Sequence, residues 1–178
     1  MTRRVLERNK AFASVRDTAT RALGRLASWK LAREGWPAVD AGVRRVYREG
    51  YRALNRAVEN PTVENLHEWR KQSKYLWHQL QLLENKLPEK ERELIEKTHQ
   101  LGTILGGDHD LAVFRAALAA DPLTYGGHRA LKDLFVIVDR HRQEYQRQAF
   151  ALGRTIYPDA PKAFIGRLEA STTCEAVP

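Results

Sequence analysis

The chain has 178 residues, enough for one domain, and 43% of them are hydrophobic, which suffices for a buried core. Its formal net charge of +8 favours phosphate-rich partners over acidic or neutral ones. The single cysteine, Cys174, excludes an intramolecular disulfide and a cysteine-based metal cluster. No apolar run predicts a transmembrane helix or a signal peptide, so we expect a cytoplasmic protein with no membrane partner.

Helical periodicity runs through most of the chain, and Gly and Pro residues mark the expected helix ends. The predicted helices cover residues 3–33, 39–59, 63–86, 89–106, 108–119, 128–152 and 162–170. Thr62 is the predicted cap of the third helix, and Asp108 that of the fifth, after Gly106-Gly107 ends the fourth. Short connections indicate antiparallel neighbours, so the predicted fold is an all-α antiparallel helical bundle.

The third predicted helix concentrates basic and titratable side chains on one face. This basic stripe consists of His67, Arg70, Lys71, Lys74 and His78. The opposite face is apolar and comprises Trp69, Leu76, Leu80 and Leu83. Like charges one turn apart destabilise a helix by about 0.2–0.5 kcal/mol per pair, and the nearby Glu68 lies off the stripe. Such a face is expected where a polyanion neutralises it.

Other helices also carry basic residues. The second has Arg44, Arg45, Arg48, Arg52 and Arg56, the long sixth has Arg140, His141, Arg142 and Arg147, and the last has Lys162 and Arg167. Antiparallel neighbours would place several of them beside the stripe. A groove of such groups can hold a phosphate chain through charge-assisted hydrogen bonds. For the second helix, a solvated charged face is the alternative.

The segment Gly106-Gly107-Asp108-His109-Asp110 has two interpretations. A His-Asp pair on a helix is typical of metal-dependent phosphohydrolases of the HD type. Further ligands in the required order would come from His67 or His99 and from Asp133 or Asp139. The favoured interpretation is structural, with Asp108 capping a helix and Asp110 pairing with a buried arginine or orienting His67.

Four tryptophans could stack nucleic-acid bases: Trp29, Trp36, Trp69 and Trp77. Tryptophan at helical spacing more often belongs to a core, and the aromatic-basic interleaving of RNA-binding motifs is missing. A general nucleic-acid-binding protein therefore stays an alternative, and we expect nucleic acid to bind only non-specifically.

Two motifs together resemble the second half of a CHAD domain. They are LHEWRKQSKYLWHQLQLLE, residues 66–84, and LGTILGGDHDLAVF, residues 101–114. The segments AGVRRVYREGYRALNRA, residues 41–57, and AFALGRTIYPDAPKAFIGRL, residues 149–168, are also similar to that family. The resemblance covers residues 38–168.

The resemblance implies a function and a set of site residues. CHAD domains are all-helical, with two pseudo-symmetric bundles around a basic groove, and they bind inorganic polyphosphate, several of them at polyphosphate granules. They are not known as enzymes, so no catalytic residue, metal or cofactor is expected. The implied polyphosphate-binding residues are His67, Arg70, Lys71, Lys74, Arg45, Arg48, Arg52, Arg140 and Lys162. Asp110 would form an internal ion pair.

The chain carries less of a first bundle than a full CHAD domain. Residues 1–37 are expected to be an N-terminal helix left from, or connecting to, that bundle, residues 38–170 the CHAD-like bundle, and residues 171–178 a disordered tail. The N-terminal helix has an apolar stripe formed by Val5, Phe12, Val15, Leu23, Leu26 and Trp29. A homodimer would bury this stripe and could restore a two-walled groove.

Overall fold

The computed structural model describes residues 11–26, 28–30, 33–87 and 89–174. This part of the chain contains six α-helices and two short 3₁₀ segments and no β-strand, which confirms the all-α prediction. The helices are α1 (Ala11–Leu26), α2 (Trp36–Glu59), α3 (Val63–Leu83), α4 (Glu89–Ala120), α5 (Gly127–Ile156) and α6 (Pro161–Cys174). None of these described helices is both long and apolar enough to cross a membrane.

The chain divides into two units, Met1–Ala38 and Val39–Pro178. The first contains α1, which is shorter than the predicted helix at residues 3–33; residues 3–10, 27 and 31–32, including Val5, lie outside the described residues. The apolar side chains of Phe12, Val15 and Trp29 are exposed. The homodimer through this stripe stays a prediction.

In the second unit, α3 and α4 pack side by side in an antiparallel register. Trp77 of α3 stacks on His99 of α4. About three turns earlier on α3, His67 lies against His109, which is about three turns later on α4. The α4 helix also packs along α5, where Arg115 donates to Asp139 at 2.8 Å. The α4 helix therefore packs against both α3 and α5.

Tyr47 joins α2 to the C-terminal part of this unit. Its ring stacks on Phe164 of α6 with centroids 3.7 Å apart, and its hydroxyl donates to the backbone oxygen of Asp159 at 3.1 Å. Burial raises the pKa of the Tyr47 hydroxyl well above its ordinary value. This contact keeps the buried face of α2 inward, so its arginines point outward.

Three glycines allow aromatic rings to approach a helix backbone. A Cβ atom at Gly153 would lie 2.5 Å from the indole of Trp69, and one at Gly107 would lie 2.6 Å from the ring of Tyr145. A Cβ atom at Gly50 would overlap the hydroxyl of Tyr157. A side chain larger than hydrogen is excluded at these positions unless the ring moves.

Besides the end of α1, three predicted helix boundaries were wrong. No break occurs at Gly106-Gly107, because α4 continues from Glu89 to Ala120, so Asp108 lies inside a helix and caps nothing. Gly153 lies within α5, under Trp69, rather than just after the helix. The α6 helix continues to Cys174, so residues 171–174 of the predicted tail are helical, and residues 175–178 lie outside the described residues.

Candidate anion-binding site

The α3 helix separates an apolar face from a basic face. Its first turn is capped by Thr62, whose hydroxyl accepts a hydrogen bond from the backbone N–H of Asn65 at 3.2 Å. The buried residues of α3 are Leu66, Trp69, Ser73, Leu76, Leu80 and Leu83. All five residues of the basic stripe are half-buried or exposed. The helix is therefore fixed by its apolar face and leaves the stripe accessible.

The stripe is partly neutralised from within α3. The carboxylate of Glu68 accepts from Nζ of Lys71 at 2.8 Å and from the amide of Gln72 at 2.6 Å. These hydrogen bonds hold the pKa of the Glu68 carboxyl below its usual range. Arg70 and Lys74 form no ion pair or side-chain hydrogen bond with any residue that the structure describes. They are the cations of the stripe that are most available to an anion.

Arg70 and Lys74 border a pocket of about 530 Å³ between three helices. The α3 wall also includes Trp77, the α4 wall comes from residues 98–110, and α5 contributes Tyr145. Nε of Arg70 is buried and has no hydrogen-bond partner. An anion in the pocket would therefore meet the Arg70 side chain without displacing an ion-pair partner among the described residues.

Glycines on α4 form the surface over which the two cations lie. A Cβ atom at Gly102 would be 3.5 Å from Cγ of Lys74, and one at Gly106 would be 3.4 Å from Nε of Arg70. Gly107, next along, accommodates the Tyr145 ring. These glycines lower the intrinsic helix propensity by about 1 kcal/mol each, but α4 stays helical because its neighbours pack against it.

Two aromatic rings form another part of the pocket lining. Trp77 and His99 stack with centroids 4.6 Å apart and an interplanar angle of 27°. Thr98 and Thr103 add hydroxyl groups on α4. The sequence did not predict these four residues or Tyr145 in the polyphosphate site. Trp77 lies two turns after Arg70 on the same helix, whereas only the register between the helices brings the α4 residues and Tyr145 to Arg70.

The buried ion pair lies at Asp108, and its prediction at Asp110 was wrong. The side chain of Asp108 is 2% exposed; it accepts from Nε of Arg142 at 3.1 Å and from the amide of Gln146 at 2.8 Å. The Asp110 side chain is exposed at the pocket and has no ion-pair partner among the described residues. In a continuous α4, Asp108 lies on the same face as the buried Leu101 and Leu105, whereas Asp110 is turned about 200° away.

Of the ligands named for the phosphohydrolase alternative, His67 and His109 meet, but the structure brings no third ligand to them among the described residues. Within the described residues, no group of three or more His, Cys, Asp or Glu side chains could hold a metal ion. Of the two aspartates considered as the last ligand, Asp139 accepts from Arg115 in an ion pair with α4.

The remaining predicted basic residues lie elsewhere on the described surface. Arg45, Arg48 and Arg52 are exposed on α2, and Glu49 pairs with the latter two. Arg140 and Lys162 are exposed on α5 and α6. None of these five residues belongs to the described lining of the pocket. The structure thus brings together Arg70, Lys74 and Asp110, with the rest of the stripe beside them.

At the other side of Arg70, His67 faces His109 across the α3–α4 interface. The ring centroids are 4.6 Å apart with an interplanar angle of 37°. Nδ1 of each ring is buried and lacks a hydrogen-bond partner. Burial lowers the pKa of His67, and His109, Arg70 and Lys71 lower it further by charge repulsion.

Residues 2–119 match the family model described as CHAD domain. The chain belongs to the CHAD domain family. The CHAD match includes the N-terminal segment and ends with α4, so Tyr145 and the other residues of α5 and α6 lie beyond it. No curated protein and no solved structure matches the chain significantly. Membership in the CHAD family supports a domain of the polyphosphate-binding type.

Proposed function

We propose that this CHAD domain binds inorganic polyphosphate without acting on it, and that the phosphate chain enters the α3–α4–α5 pocket and continues along the basic stripe. The observation that carries the proposal is the pair Arg70 and Lys74, which line one pocket and form no ion pair with a described residue. A phosphate oxygen is a charge-assisted acceptor for a guanidinium group, and Lys74 adds a second cation at the same pocket.

A chain of phosphates suits this surface better than a single anion. The stripe from His67 to His78 extends for about 16 Å along α3, at about 1.5 Å per residue. Its charged groups recur at successive turns, so a polymer with regularly spaced negative charges can contact several of them. Affinity would come largely from counterion release, by analogy with nucleic acid, and should fall steeply with added salt.

The test is a titration of long-chain polyphosphate, with duplex DNA and ATP as competitors, in the presence and absence of a divalent metal. The variant Arg70→Ala/Lys74→Ala should lose more than about tenfold in affinity, because a charge-assisted contact is worth roughly 1.5–3 kcal/mol before screening by water. The helical circular dichroism signal should persist, since both side chains lie off the apolar face of α3.

A matched control separates this site from general charge. Arg129 and Lys132 are exposed on α5, about 20 Å along the helix from Tyr145. The variant Arg129→Ala/Lys132→Ala removes the same two charges and should bind almost as the parent protein does. Equal losses in both variants would refute the site, and a preference for DNA over polyphosphate would favour the general nucleic-acid-binding alternative.

The proposal of binding without catalysis has its own test. Polyphosphate incubated with the protein and Mg²⁺ or Mn²⁺ should release no phosphate. Release that disappears in His109→Asn, together with stoichiometric metal in elemental analysis, would establish the phosphohydrolase alternative instead. In a cell that stores polyphosphate, a fluorescently tagged protein should concentrate at the granules, and the Arg70→Ala/Lys74→Ala variant should spread evenly.

A further inference from the structure

The proposed phosphate site includes only one of the two imidazole rings that meet in the His67–His109 contact. His67 belongs to the stripe, whereas His109 comes from α4 and has been assigned no role in binding. Their centroids are 4.6 Å apart, and both Nδ1 atoms are buried without a partner. Because the two rings pack against each other, a proton on one ring disfavours a proton on the other.

The surroundings of His67 disfavour a proton on its ring while the site is empty. Burial of His67 is the largest of these effects; on α3, Arg70 and Lys71 also repel a proton on its ring, and the attraction from Glu68 is the weakest effect. These effects and burial lower the pKa of His67 from its ordinary value of 6.5.

On α4, His109 adds to the repulsion, and the carboxylates on either side of it do not face His67 as free counter-charges. Asp108 precedes His109, but Arg142 and Gln146 from α5 occupy its carboxylate. Asp110 follows His109, and its side chain is exposed on the pocket side. A bound polyanion would therefore be the main new negative charge near the two rings.

We propose that His67 and His109 form one proton-binding unit of the phosphate site, which takes up a single proton from solvent as the polyanion binds. The inference rests on the proposed function. The negative charge of the polyanion opposes the repulsion from Arg70 and Lys71, which adds to burial in disfavouring a proton on His67. One proton is taken up rather than two, because two imidazolium rings at this separation repel each other.

Proton uptake coupled to binding determines how polyphosphate affinity changes with pH. Binding raises the pKa of the pair, so the proton adds to affinity at low pH and the gain is lost as pH rises through the bound-state pKa. Affinity should thus increase as pH falls from 8 to 6, by about tenfold for each unit by which binding raises the pKa.

The experiment is isothermal titration calorimetry with long-chain polyphosphate at pH 7 in two buffers of different ionisation enthalpy, followed by affinities at pH 6 and pH 8. The difference between the buffers gives the number of protons taken up. Long chains have few terminal phosphates, so the titration of the ligand itself contributes little. The parent protein should take up a proton, with at most one per site.

His109→Asn should abolish the proton uptake and flatten the pH profile of polyphosphate affinity. The matched control is His141→Asn, which changes an exposed histidine of α5 and should behave as the parent does. His109→Gln repeats the test if the asparagine variant fails to fold.

The outcomes separate the two proposals. Tight binding by the parent protein with no proton uptake and no pH dependence would overturn the inference and leave polyphosphate binding intact. Uptake that persists in folded His109→Asn would overturn the assignment of His109. Absence of binding between pH 6 and pH 8 would overturn the proposed function, and the inference with it.

Discussion

Arg142 on α5 donates through Nε to the carboxylate of Asp108 on α4 at 3.1 Å, and the two side chains are only 16% and 2% exposed. Gln146, one turn later on α5, donates to the same carboxylate. The pair joins the two helices that carry Tyr145 and Asp110 at the pocket. Arg142 is therefore committed to the fold and is not available to a phosphate chain.

Asp108→Ala should lower the free energy of unfolding by about 3 kcal/mol or more, because it leaves the Arg142 guanidinium buried without a counter-charge. The matched control is Asp110→Ala, two residues away at an exposed position, which should change stability by less than about 0.5 kcal/mol. Urea denaturation followed by circular dichroism measures both. Similar losses in the two variants would contradict the assignment of the buried pair to Asp108.

Glu68→Gln should raise polyphosphate affinity about twofold to fivefold at low salt, as expected for freeing Lys71 from a partly exposed ion pair worth roughly 0.2–1 kcal/mol. For the same reason, Lys71→Ala should cost less affinity than Lys74→Ala. Glu64→Gln removes the same charge from an exposed position in the first turn of α3 and is the control. An equal gain in both glutamine variants would mean that only net charge matters.

Replacing the adjacent α4 residues Gly106 and Gly107 by alanine should affect the stability of the protein differently. Gly107→Ala places a Cβ atom 2.6 Å from the Tyr145 ring and should destabilise the protein by about 1–3 kcal/mol, the usual cost of overpacking. Gly106→Ala meets the Arg70 side chain at an ordinary contact distance of 3.4 Å. It should be neutral or stabilise by up to about 1 kcal/mol through helix propensity. The melting temperatures of both variants test these expectations. An unchanged melting temperature for Gly107→Ala would argue against the close Tyr145 contact.

Without ligand, the protein should become less stable as pH falls from 7.5 to 5.5. The pKa of His67 is lowered in the folded state, so below the usual value of 6.5 the unfolded chain binds more protons and unfolding is favoured. Glu68 adds no pH dependence between pH 7.5 and pH 5.5. Its pKa is lowered in the folded state, so its stabilising effect is lost only at more acidic pH. His67→Asn should show a smaller decrease in melting temperature over the same range. If His67→Asn shows the same decrease in melting temperature as the parent, the pH dependence of stability comes from groups other than His67.

The basic stripe could be predicted from the sequence because its spacing alone sets its orientation. Thr62 and the apolar residues of α3 define the helix and its buried side, and every stripe residue follows from them. Partners across helices were not predictable in the same way. Tyr145 and His99 reach the pocket through the register of α5 and α4 against α3, which no local pattern specifies.

The error at Asp108 and Asp110 has a physical cause. Local propensity favours a helix end at Gly106-Gly107, but packing by Arg70 and Tyr145 keeps the helix continuous there. With α4 extended through the glycines, Asp108 falls in the buried series Leu101, Leu105, Ala112 at helical spacing. That series is present in the sequence and would have identified the buried carboxylate.

Close packing of aromatic rings on glycines also has an evolutionary consequence. The three pairs are Trp69 with Gly153, Tyr145 with Gly107, and Tyr157 with Gly50. Each ring occupies the space of an absent side chain on another part of the chain, so neither member of a pair can change freely alone. Among related CHAD sequences, a residue larger than glycine at one of these positions should coincide with a smaller side chain at its partner. Such paired substitutions would record the helix contacts of this fold in sequence alone.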